Sequence, residues 1–307
     1  MKPLPEPKSD SPDLGAYASV AICAFVWGTT WYAITYQLGA AHAAISVILR
    51  FGLAALGLAI VAKLAGNRLS LTRAQHLAAA GQGLFAFSIS YFFVYAAEEK
   101  IASAVVAIIF AALAFVNLAL FRLLSKQKAS AKAWVGASLG VFGVGVLSAG
   151  EITGTGLGNH AVMGVTFAVI AVLASAMGNW CAWRGQQAGA QVLPATAWAM
   201  AYGTAFLAVY ALATGIDWQV QWSAAYIGSL IYLSLIGSVL TFGLYFTLAR
   251  KHGYALASYI SALTPPIAMV VSVLFEGARF GVLAFVGLGI VLAGQVFMMR
   301  APRKSAA

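Results

Sequence analysis

The stretch Tyr254–Glu276, YALASYISALTPPIAMVVSVLFE, decides how the chain is read. It is apolar and long enough to cross a bilayer, which takes roughly 20 such residues in a helix. Pro265 and Pro266 stand at its centre. Each removes a backbone donor, so the carbonyls of Ser261 and Ala262 lose their helical partners. In lipid an unpaired carbonyl must face protein or a wet cavity. Interrupted helices of this kind line midplane substrate sites in transporters. The plainer alternative is a proline kink whose backbone is satisfied by Ser261 or Thr264. The expectation carried forward is a break that lines a cavity.

Outward from this stretch the whole chain has the same character. Of 307 residues, 62% are hydrophobic and 8% charged, against about 25% charged in a soluble domain. Apolar runs fall at 16–36, 42–64, 76–96, 102–121, 133–149, 161–182, 193–213, 224–248, 255–275 and 281–299. An all-α membrane protein of ten transmembrane helices is expected. Residues 1–14, with Pro3, Pro5, Pro7 and Pro12, read as a short disordered tail and 300–307 as a second one. The first apolar run has no small-residue cleavage site and is expected to be retained.

Charge sets the orientation. Lys2, Lys8, Lys63, Arg68, Arg73, Arg122, Lys126, Lys128, Lys132, Arg184, Arg250, Lys251, Arg300, Arg303 and Lys304 all fall at one side of the helix set. The other side has Lys100 and Arg279 and the acids Glu98, Glu99, Glu151, Asp217 and Glu276. Basic residues favour the cytoplasm, which places both termini there. The +10 net charge therefore needs no nucleic-acid partner.

The chain repeats. Ala102-Ser103 opens helix 4 and Ala257-Ser258 opens helix 9. Trp134-Val135-Gly136 in helix 5 matches Phe285-Val286-Gly287 in helix 10. Trp27-Gly28-Thr29-Thr30-Trp31 in helix 1 matches Met177-Gly178-Asn179-Trp180 in helix 6. The order is kept at an offset of about 150 residues. The division is 15–150 and 151–299. Five helices per copy is an odd number, so the second copy lies inverted. The turn at Glu98-Glu99 is acidic and its counterpart, Arg250-Lys251-His252, is basic. Two inverted five-helix repeats place a central cavity between them, near the midplane.

WGTTW in helix 1, ILRF in helix 2, the Ala-Ser starts of helices 4 and 9 and the proline within helix 9 resemble the drug/metabolite transporter superfamily. Over residues 16–299 the chain is similar to its ten-helix, EamA-type exporters. Among these it resembles the bacterial YddG-type exporters of aromatic and other amino acids. The resemblance implies alternating access around a cavity lined mainly by helices 1, 3, 4, 6, 8 and 9, in a bacterial inner membrane. Phe110 departs from the repeat, since it stands where helix 9 has Pro265.

Candidate binding residues follow from the helices so implied. Trp27, Trp31, Tyr91, Trp180 and Tyr259 suit ring-bearing ligands and cationic amino groups. An interfacial aromatic belt is the alternative for rings near helix ends. Thr30, Gln82, Ser88, Asn179, Ser238 and Ser261 offer uncharged polar groups for an ammonium or carboxylate, with Pro265 beside them. Interhelical hydrogen bonding explains each one equally well. Arg50 is the one charge within a helix, where it costs at least ~2.5–3.5 kcal/mol unless paired or hydrated. It either meets a substrate carboxylate or caps freed carbonyls, and no membrane carboxylate is expected beside it.

A phosphorylated or nucleotide-linked sugar would need several such cations. With no acid deep in any helix, transport is expected to follow the substrate gradient with no obligatory ion. Cys23 and Cys181 read as small buried hydrophobes, not as a disulfide or metal pair. Gly140-Val141-Phe142-Gly143-Val144-Gly145 has no strand before it and is no dinucleotide loop. Gly136 and Gly140 suit close helix packing, within the chain or at a dimer face. No HExxH or GxSxG motif occurs, so no enzyme, metal or cofactor is expected. The partners expected are a small-molecule substrate, an amino acid or else another small metabolite or drug, and the bilayer, with a monomer or a homodimer as the working unit.

Overall fold

The computed structural model describes residues 14–127, 129–154, 158–252 and 254–299. The tails expected at 1–14 and 300–307 lie, Leu14 apart, outside them. Ten helical segments run through the described residues. They are α1 (Leu14–Thr35), α2 (Ala43–Leu64), α3 (Arg73–Glu98), α4 (Ser103–Ser125), α5 (Ala131–Gly154), α6 (Asn159–Gln187), α7 (Val192–Ala213), α8 (224–252), α9 (254–276) and α10 (Val282–Met299). By length and composition α1 to α8 are apolar enough to span a membrane. Helix α10 is shorter.

The helix starts have local causes. Thr72 accepts the Gln75 N–H at 3.4 Å, and the Gln75 side chain accepts the Thr72 N–H at 3.0 Å. This reciprocal cap starts α3 at Arg73, before the apolar pattern begins. Ser223 caps α8 through the Tyr226 N–H at 3.1 Å. Gly277, at φ 66°, ends α9 in the left-handed conformation that glycine adopts without strain.

The packing repeats itself in inverted form. Helix α1 runs antiparallel to α8: Trp27 meets Gly237, and Cys23 meets Thr241. Helix α6 runs antiparallel to α3: Ser90 meets Ala171, and Gly178 sits on Ala86. These are the same pair in the two halves. Likewise α3 lies parallel to α7, with Gly83 against Ala199 and Phe87 against Gly203. Its counterpart has α8 parallel to α2, with Gly57 against Val239 and Arg50 against Ser234. Helices α5 and α10 close the arrangement through glycine. Cβ atoms built on Gly136 and Gly294 would lie 2.6 Å from each other's carbonyl oxygens, and Gly143 and Gly287 face each other as closely. Gly136 and Gly140 thus serve close packing inside one chain.

The expected break lies elsewhere. Helix α9 continues through Pro265 and Pro266. The Thr264 hydroxyl donates to the Ile260 carbonyl at 2.8 Å, one of the ways a proline-bearing helix is held together. Gly28 of α1 lets the Thr264–Ile267 turn approach closely. The interruption is instead in α4, at Ala111–Ala112, where no proline or glycine stands. There Ala111 and Ala112 donate to Ile108 and Ile109, three residues back, at 3.1 and 3.0 Å. This tighter turn separates Ser103–Phe110 from Leu113–Ser125. Gln295 of α10, which is buried, donates to the Ala111 carbonyl at 3.5 Å.

Two wider turns sit at equivalent places. Gly83–Ser90 in α3 and Tyr232–Leu240 in α8 are π-helical. In the second, Ser238 donates to the Leu233 carbonyl at 2.9 Å and Thr241 to the Ile236 carbonyl, each five residues back. A π-helical turn leaves the ordinary helical ladder locally unmatched, and such turns gather at functional sites.

Candidate functional site

The expected residues separate into three groups. The first lies in the half of the bundle nearer the acidic loops. Trp31 of α1 is half-buried and tilted against Phe110, with ring centroids 5.2 Å apart. Phe110 is the last residue before the α4 break, so the ring and the interruption share a level. Tyr91 of α3 packs edge-on against Phe51 of α2 at 4.6 Å. The Arg50 guanidinium lies over the same Tyr91 ring, 4.7 Å from its centroid, and 5.1 Å from that of Phe51. Face-on rings attract a cation, by about 2 kcal/mol when desolvated. Ser88 is buried one turn below Tyr91.

The second group lies toward the basic loops, between α4 and α6. The Asn179 amide donates to Asn117 Oδ1 at 3.4 Å. Trp180 Nε1 donates to the Ser125 hydroxyl at 2.9 Å, and Arg184 lies over the Trp180 ring at 5.3 Å. Asn179, Asn117, Trp180 and Ser125 are all half-buried. Asn117 and Ser125 were missed in the sequence. Asn117 is the one amide in the apolar run 102–121, and that was the signal for it.

The third group is taken up in the α1–α8 seam. Trp27 Nε1 donates to the Gly237 carbonyl at 3.1 Å, and its ring meets Phe242 and Tyr245 at 5.6 and 5.5 Å. Thr30 is buried and donates to the Trp27 carbonyl at 2.8 Å. Ser238 satisfies the π-helical backbone. Of the three, Trp27 bonds across the seam, while Thr30 and Ser238 bond within their own helices. Gln82 is half-buried in α3 at the start of the π-helical turn, and Pro265 is buried in α9. The side chains of Tyr259 and Ser261 lie outside the described residues.

Arg50 corrects a further expectation. It is 2% exposed, and its Nε and Nη1 find no acceptor among the described residues. It does not stand alone as an intramembrane charge. Glu98, expected in an outer turn, is 7% exposed at the end of α3, within electrostatic reach of Arg50. The expectation of ion-free transport rested on no acid lying deep in a helix, and Glu98 stands at the last residue of α3. The Arg50 carbonyl accepts from Ser234 at 3.0 Å, so α8 fixes the backbone beneath the charge.

A model of the EamA-like transporter family matches residues 14–149 and 162–300, one segment in each half. The chain belongs to the EamA-like transporter family. It is a multi-pass membrane protein of a family that carries small molecules, built from inverted repeats. A solved structure described as a crystal structure of a protein superposes on this EamA-like chain with a TM-score of 0.65 at 17% identity. The match covers 92% of this chain and 95% of that one, and carries the fold alone. No curated protein matches significantly.

Proposed function

We propose that the chain exports amino acids, aromatic and other neutral ones, from a bacterial cytoplasm by alternating access. The supporting observation is the Trp31–Phe110 pair, half-buried beside the one interrupted helix of the described residues. Rings set at an angle receive an aromatic or aliphatic side chain by edge-to-face contact. The Asn117–Asn179 amides supply neutral donors and acceptors for the polar end of the same ligand.

On this reading the halves 15–150 and 151–299, whose helices interleave, both supply the moving helices, which turn about the α5–α10 seam. The π-helical turns of α3 and α8 absorb the bending. The basic loops face the cytoplasm, as the positive-inside rule requires. One chain supplies both halves of the site, so a monomer suffices.

Liposomes holding the purified chain are expected to take up labelled phenylalanine, tryptophan and leucine saturably, and to ignore hexose phosphates. Uptake of a sugar phosphate with no uptake of any amino acid contradicts the proposal.

A further inference from the structure

The acidic-loop end of the bundle contains a charged set that the binding reading leaves unused. Glu98 closes α3 with both carboxylate oxygens buried and without a donor among the described residues. Arg50 of α2 is buried with two nitrogens unpartnered, yet no ion pair closes between the two. Around them, the Tyr95 hydroxyl of α3 donates to Gln37 Oε1 of α1 at 2.7 Å, and Gln37 Nε2 is unpartnered. Glu276 of α9 accepts from the Ser272 hydroxyl through Oε2, while its Oε1 is buried and unpaired. The end of α3 packs on α6, α2, α4 and α1, and Glu276 brings α9 to the same end. Arg50 and Glu276 act electrostatically on Glu98; half-buried Lys100 follows it in the same turn, and exposed His42 at the start of α2 stacks on Phe92 of α3 at 6.2 Å. On α6, which also packs on α3, the titratable group at this end is His160, and it is exposed.

A carboxylate held out of water with no donor costs several kcal/mol as an anion and far less as a neutral acid. Pairing with Arg50 would recover much of that cost, but the two form no ion pair here. A second acid, Glu276, adds repulsion between anions.

We propose that Glu98 is a proton-binding site that gates the acidic-loop end. The end shuts with the proton on the Glu98 carboxyl. When α1 and α9 part from α3, water enters, the proton leaves to the solution on that side, and the carboxylate pairs with Arg50. The balance is one proton released per opening and one taken up per closing. The tyrosine and phenylalanine rings over Arg50 hold its charge while it waits. Opening is therefore favoured as pH rises on that side. This goes beyond the export reading and rests on it only in treating this end as a gate.

The test needs no substrate. Ala33 is 8% exposed and lies one turn below Gln37 on the same face of α1. With Cys23 and Cys181 replaced by alanine, the full chain in liposomes carries Ala33→Cys as a reporter. A membrane-impermeant maleimide then reads opening, scored against Asp217→Cys in an exposed loop so that thiol chemistry cancels. Relative labelling is expected to rise with pH by up to about tenfold per unit, the slope of one proton. Glu98→Gln, a mimic of the protonated acid, is expected to stay low and flat. Glu276→Gln is expected to keep the rise and move it to lower pH. Equal pH profiles for the parent and Glu98→Gln overturn the proposal. So does a rise lost only with Glu276→Gln. If Glu98→Gln fails to elute as a single folded species, Glu98→Asp decides: a retained but displaced rise supports the site, and an unmoved one overturns it. Labelling that titrates in a chain that carries no amino acid would leave this site standing and the export reading refuted.

Discussion

Trp31→Ala is expected to lower kcat/KM for phenylalanine and tryptophan by about 10- to 300-fold, while alanine and serine move within about threefold. The estimate follows from the ring–ring contact. An aromatic pair contributes about 0.5–1.5 kcal/mol beyond its buried area, and the lost apolar contact adds about 1–2 kcal/mol. Each 1.4 kcal/mol is a factor of ten. Trp31→Phe keeps an aromatic ring facing Phe110 and is expected to retain most of the rate. Thermal unfolding of each variant separates a lost binding surface from a loosened α4. Equal losses for ring-bearing and ring-free substrates would remove Trp31 from the site.

Gly136→Val has the largest expected effect on stability. A Cβ there would lie 2.6 Å from the Gly294 carbonyl oxygen and 2.9 Å from the Met298 nitrogen. These are backbone atoms of α10 and cannot rotate aside. Overpacking of a well-filled site costs about 1–3 kcal/mol, and rigid neighbours put this case at the upper end. At about 2–4 °C per kcal/mol for a chain approaching this size, the unfolding midpoint falls by roughly 6–12 °C. Gly145→Val, with open space around its Cβ, is expected to change it little. Similar midpoints for the two variants would mean that α5 and α10 do not meet as described.

Much of the fold was legible because lipid imposes a simple rule. A spanning helix needs an unbroken apolar run, so the ten spans and their inverted copies could be read from hydropathy and residue order. The local departures were not legible. Pro265-Pro266 pointed to a break, but Thr264 and the close approach of Gly28 keep α9 continuous. The actual break at Ala111–Ala112 carries no proline or glycine, and Gln295, far away in sequence, caps its carbonyl. Phe110 was noticed only because it stood in the place of a proline. The π-helical turns left no mark in composition.

The site was legible in part for a related reason. Residue type shows that Trp27 and Trp31 are both tryptophans in one helix. It does not show that Gly237 accepts from Trp27 while Trp31 meets Phe110. Glu98 read as a loop residue because hydropathy falls there. Its burial comes from α6, α2, α4 and α1 packing against the end of α3, a tertiary effect.

The most direct test of the central claim, one site between two inverted halves reached from each side in turn, is counterflow. Liposomes containing the chain are loaded with unlabelled phenylalanine and given a trace of labelled phenylalanine outside. The account predicts a transient accumulation of label above equilibrium, reduced by Trp31→Ala. Label that enters only to its equilibrium level, at a rate indifferent to internal phenylalanine, would show a pore or leak and contradict alternating access.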